Sequence, residues 1–161
     1  MERLRRKYRD IIRIFRGVEF SSVEGHCLIF GVNTDTLHLR HAPVEKVISL
    51  VNASGGVVIP SHPYRVGNSL GDVIYRVQGI CALEGYNGCN MREYNTKAVL
   101  AAETLSLPHT GGSDAHAPEE VGLCYTEFDD EVMDEDLVRL LKKGAYWGVD
   151  SRPCFRRPSP Y

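Results

Sequence analysis

Residues 110–122, Thr-Gly-Gly-Ser-Asp-Ala-His-Ala-Pro-Glu-Glu-Val-Gly, place Asp114 and His116 two positions apart, just behind a pair of glycines. Carboxylate and imidazole are hard-to-borderline metal ligands, and glycines let a backbone turn tightly and approach a ligand closely. Two ligands hold a metal poorly, so others must come from elsewhere in the chain. Glu19, His26 and His62 are of the right type. Glu19 ends an apolar stretch, His26 immediately precedes the apolar run 27–32, and His62 follows Val57-Val58-Ile59-Pro60. In α/β barrels the catalytic groups gather at the C-terminal ends of the strands, a rule that brings Glu19, His62 and the Asp114–His116 pair to one face. Such a set is the ligand chemistry of Zn, Mn or Fe. Two cations about 3.5–4 Å apart, bridged by a carboxylate such as Glu19, would make a phosphate-ester hydrolysis site.

Each residue also has a structural alternative. Glu19 could be a surface carboxylate, Asp114 a capping residue before Ala-Pro-Glu-Glu, and any single histidine a hydrogen-bonded structural group. Their joint placement at strand ends favours the site. His38 and His41, in a polar stretch, read as solvated loop residues, and His109 as structural or supporting.

The elements that must position these groups follow from periodicity. Leu4, Tyr8, Ile11, Ile12 and Phe15 have helical spacing, leading into a strand from about Ile14 to Phe20. Strands are also expected at 27–32, 57–60, 80–87 and 122–128, with 107–112 a short strand or extended run. Pro43 starts a helix whose face is Val44, Val47, Ile48 and Val51, and Gly55-Gly56 stops it. Asn95 reads as the cap of a second helix, and Asp-Glu-Asp-Leu-Val-Arg-Leu-Leu-Lys-Lys-Gly (134–144) as a third that ends at Gly144. Strands alternating with helices predict an α/β protein with a mainly parallel sheet or barrel. The 161 residues form a single expected domain, with 150–161 as a surface tail.

Composition narrows the class. The net charge of −2 argues against broad binding to nucleic acid, and no apolar run is long enough to span a membrane. The five cysteines are scattered with no C-x-x-C pair, which suits reduced thiols in a cytoplasmic protein.

The stretches GVEFSS…GHCLIFGV, GGVVIPSHPYR, ALEGYNG and LPHTGGSDAHAPEEVGLCYTEF closely resemble the PHP (polymerase and histidinol phosphatase) family of metal-dependent phosphoesterases, over roughly 14–149. The resemblance implies a distorted (β/α)7 TIM-like barrel carrying two or three Zn, Mn or Fe ions. By this resemblance Glu19 bridges two metals, His26 and His62 complete the shell of one, Asp114 binds the other, and His116 a third. Glu19, His62 and Asp114 are then the catalytic set. Arg65 is the expected phosphate contact, since a guanidinium fork suits phosphate oxygens. The cations would lower the pKa of a bound water toward about 7 for attack on phosphorus.

The family's opening His-x-His and Asp-His strand ends have no counterpart in this sequence. The barrel is therefore expected to be incomplete at the N-terminus, whether from a truncated reading frame, a cut chain, or a natural half-barrel completed by a partner. The substrate class is a phosphorylated small molecule or nucleotide. The alternative is a non-catalytic PHP-like module that binds metal or a partner, as a homo-oligomer or with a completing chain.

Overall fold

The computed structural model describes residues 2–33, 35, 40–133 and 135–153. The chain is mixed α/β. Strands β1 (Gly17–Ser21), β2 (His26–Phe30) and β3 (Val57–Pro60) form one antiparallel sheet in that order. Strands β4 (Leu83–Asn87) and β5 (His109–Gly112) form a parallel pair, and β6 (Cys124–Phe128) and β7 (Tyr146–Asp150) an antiparallel one. Helices α1 (Glu2–Tyr8), α2 (Val44–Ala53), α3 (Arg92–Thr104) and α4 (Leu137–Lys143) complete the elements.

The expected mainly parallel sheet is corrected, because one strand pair of the described residues is parallel and the strands do not close into a barrel. The cause lies in the connections. A tight turn, in which Ser22 Oγ donates to the Gly25 carbonyl at 2.7 Å, makes β1–β2 a hairpin. The Val44 amide, at the start of α2, donates to Glu24 beside the hairpin turn at 2.8 Å. Gly56, just past the end of α2, lies against the Phe30 carbonyl, where a side chain would clash. So α2 runs alongside β2, and β3 comes back antiparallel to it.

The three sheets still lie side by side. Cys81 N donates to Val58 O at 3.2 Å, joining the approach to β4 onto β3. Gly148 N of β7 donates to His109 Nδ1 at 3.2 Å, and Gly111 N of β5 donates to Thr126 Oγ1 of β6 at 3.0 Å. Val57–Pro60 is buried throughout because both faces are covered. On one side Val58 packs with Val44, Val47, Ile48 and Val51 of α2, and on the other Val57 and Ile59 pack with Leu141 and Tyr146.

Several boundaries move. The N-terminal helix stops at Tyr8 and buries nothing, with Leu4, Ile11 and Ile12 half or more exposed, so its spacing has no core to serve. The helix expected to be capped by Asn95 begins at Arg92, and Asn95 is a buried residue inside it. β7 was not expected from the sequence. Asp150 ends β7, and Arg152 is held by the carbonyls of Gly88 and Asn90 and by Asp150, at 3.1, 2.5 and 2.6 Å. Residues 154–161 and His38 lie outside the described residues.

Candidate metal centre

Glu19 lies in the middle of β1 rather than at its end, opposite Leu28, and His26 is the first residue of β2 rather than just before it. Their side chains meet on the sheet's upper rim, where His62 arrives immediately after β3. Glu19 Oε1 lies 3.1 Å from His62 Nε2 and 3.4 Å from His26 Nδ1, and accepts from Ser61 Oγ at 3.1 Å. The three potential ligand atoms are all within 4.8 Å of one another. His62 is fully buried and adopts φ +32°, a left-handed conformation that turns the chain sharply off the strand end. Burial holds its imidazole below the usual pKa, Arg65 adds to this, and Glu19 opposes them. The ring is thus kept in the neutral form that has a lone pair to donate. His26 Nδ1 is buried without a hydrogen-bond partner, an orphan that a cation would satisfy, while the Glu19 carboxylate beside it is open to solvent. On that observation the donor set Glu19, His26 and His62 fits a divalent cation.

Beneath the histidine sits a carboxylate that sequence reasoning did not single out. Glu84 of β4 is 4% exposed. Its Oε2 accepts from His62 N at 2.6 Å and from Ser61 Oγ and Asn87 Nδ2, both at 3.2 Å. Desolvation pushes its pKa up to about 7, although all three donors favour the charged form. The available signal was a lone carboxylate within the apolar stretch Ala-Leu-Glu-Gly-Tyr. Asn87 extends the chain of contacts, since its Nδ2 also donates to Asp114 Oδ2 at 3.2 Å. Asn95, far from capping a helix, braces Asn87 through bonds of 3.2 and 3.0 Å to its backbone.

These bonds show that the C-terminal ends of β3, β4 and β5 meet on one rim. Asp114 follows β5 with φ +50°. Its carboxylate is paired with Arg65 Nη1 at 2.7 Å, so the expected phosphate contact is engaged with an expected metal ligand. Burial raises the Asp114 pKa, but the bonds from Arg65 and Asn87 outweigh it and hold the group below its ordinary value. His116 is exposed and stands in a second potential ligand group with Cys89 and Glu120. Glu120, not Asp114, caps the following turn, with Oε2 accepting from the amides of His116 and Ala117 at 2.6 and 3.1 Å. His41 is exposed, and His109 is structural, its ring edge-on to Tyr86.

With this geometry in place, comparison with known proteins is informative. The PHP-associated family (PHP_C) matches residues 92–146, about a third of the chain, from α3 to the start of β7. PsfC from Pseudomonas syringae PB-5123 shares the fold with a TM-score of 0.68 at 24% identity, over 85% of this chain and 59% of that one. A two-domain protein from Bacteroides vulgatus, described as containing a predicted PHP-like metal-dependent phosphoesterase, gives 0.72 at 15% identity over 92% of this chain and 48% of that one. The chain thus spans between 48% and 59% of the length of these relatives. No curated protein matches it by sequence. The family match is confined to 92–146, and the likeness to these two structures is a likeness of fold. No helix among the described residues is long and apolar enough to cross a membrane.

Proposed function

We propose that the chain carries the metal centre of a PHP-type phosphoesterase, a hydrolase acting on a phosphate ester of a small molecule or nucleotide. The observation that supports it is the convergence of His26 Nδ1 and His62 Nε2 on one oxygen of Glu19, at 3.4 and 3.1 Å. The ligand set suits Zn, Mn or Fe, which when bound supply a Lewis acid and an acidified water. The protein's own part is positional. Glu84 fixes the His62 backbone from below, and Ser61 orients Glu19. Arg65 holds Asp114 and, by exchanging it for a phosphate oxygen, would orient the ester. The outer edge of β1 carries no strand among the described residues, which fits a TIM-like barrel completed by further polypeptide, from this chain's own protein or a partner. Four free thiols among the described residues suit a reducing cytoplasm.

A second reading, a metal-binding module without turnover, is favoured by the Arg65–Asp114 pair, which occupies a carboxylate the chemistry needs. One experiment tests both: metal content by elemental analysis and hydrolysis of a generic aryl phosphate, for the wild type, His62→Ala and Asp114→Ala. The enzyme predicts metal and hydrolysis that fall together in His62→Ala. Bound metal with no hydrolysis selects the second reading, and hydrolysis unchanged in both variants overturns the first.

A further inference from the structure

We propose that Cys89, His116 and Glu120 form a second, sulfur-containing cation site on the exposed rim beside Asp114, suited to Zn2+ or a similarly thiophilic divalent ion. The proposal goes beyond the function above, since it holds whether or not the Glu19 centre is loaded. Two loops build the site. The turn after β4 is fixed by Cys89 N donating to Asn87 Oδ1 at 3.0 Å and Gly88 N donating to Gly112 O at 2.9 Å. Gly88 lies so close to the Ser113 carbonyl that any side chain there would force the loops apart. Cys89 Sγ is thereby set 3.0 Å from Asp114 O and 3.8 Å from His116 Nδ1, which is itself 2.8 Å from Asp114 O. Two ligands of one first-row cation, with bonds of about 2.0–2.3 Å, stand about 3 to 4 Å apart, and the 3.8 Å between Cys89 Sγ and His116 Nδ1 falls in that range.

Glu120 completes the set, its carboxylate pinned through Oε2 by two amides while its ligand atom stays within 4.8 Å of those of Cys89 and His116. Without a cation, the thiol and imidazole N–H share the Asp114 carbonyl. On binding, the thiol proton leaves to solvent, a sulfur–metal bond forms, and the ring carries its hydrogen on Nε2, with no change of oxidation state. Sulfur selects Zn2+ or Co2+ over Mg2+ and Mn2+. Three protein ligands on an exposed rim leave a fourth position for water or substrate.

The test is a Co2+ titration of the chelator-stripped full chain, read by the thiolate-to-cobalt charge-transfer band in the near ultraviolet. The expected result is a band in the wild type that is kept in His62→Ala, lost in Cys89→Ser and lost or weakened in His116→Ala. Circular dichroism confirms that each variant is folded, and the other cysteines, present throughout, serve as the internal control. No band in the wild type, or the same band in Cys89→Ser, overturns the proposal. Cobalt that binds in a His62-dependent way without a sulfur band would leave the Glu19 centre standing while removing this site. A sulfur band with no His62-dependent cobalt would do the reverse.

Discussion

The two ligand-bearing regions of the rim are built by opposite means. Glu19 and His26 belong to one antiparallel ladder, so their separation is set by backbone register, and His62 is pinned by a buried carboxylate under its own amide. Asp114, His116, Cys89 and Glu120 follow the strand ends in turns, with Asp114 and Glu120 half-buried and Cys89 and His116 exposed. The first region is held in place by the sheet and the buried groups beneath it. In the second, a cation would have to displace existing partners, Arg65 from Asp114 and the proton from Cys89. The family match adds a further contrast, since 92–146 includes Asp114, His116 and Glu120 but none of Glu19, His26 and His62.

The sharpest way to break this comparison is His62→Ala. Removing a ligand should weaken metal binding at the Glu19 centre by at least about 100-fold, the upper end of what even supporting residues cost, as read by chelator competition. An affinity unchanged within a few-fold would mean the strand-held region is not the stronger site.

Glu84→Gln tests the burial itself, in metal-free protein. Burial raises the Glu84 pKa from the ordinary 4.5 to about 7, so the unfolded chain loses its proton before the folded one does. Stability should therefore be full below about 4.5, fall as pH rises toward 7, and level off above, by about 3 kcal/mol at most. Urea unfolding across that range should show the slope in the wild type and lose it in Glu84→Gln.

A smaller effect is expected at the loop. Arg65→Ala frees Asp114, whose depressed pKa contributes stability that is present above the unfolded carboxylate range and lost as pH falls through the folded value. Both partners are partly exposed, so the loss at neutral pH should be no more than about 1 kcal/mol. If the enzyme reading holds, KM for the phosphate ester should rise more than kcat falls. Least of all, His116→Ala in metal-free protein should shift unfolding by under about 0.5 kcal/mol, because the ring is exposed.

Much of the first region was legible because it rests on patterns that sequence displays. Val44, Val47, Ile48 and Val51 state their helix face, and Val57–Pro60 its burial, so the position of His62 follows. What escaped depends on distant partners. Whether a strand runs parallel or antiparallel after β2 depends on where α2 starts, with Val44 beside Glu24 at the hairpin turn, which no periodicity records. Glu84 and Asn95 look like ordinary polar residues until Ser61, His62 and Asn87 are placed beside them. The brevity of α1 was hidden for the converse reason, since Leu4, Ile11 and Ile12 have helical spacing but no facing surface to pack on.

The left-handed backbone at His62 and Asp114 has a consequence for how this protein could be altered. On conformational grounds glycine or asparagine is the easier choice at such positions. A search for stabilising replacements would therefore drift toward substitutions that erase an imidazole or a carboxylate. Selection for stability alone and selection for chemistry pull these two positions in opposite directions, and a variant library scored only on thermal tolerance would discard the rim it was meant to preserve.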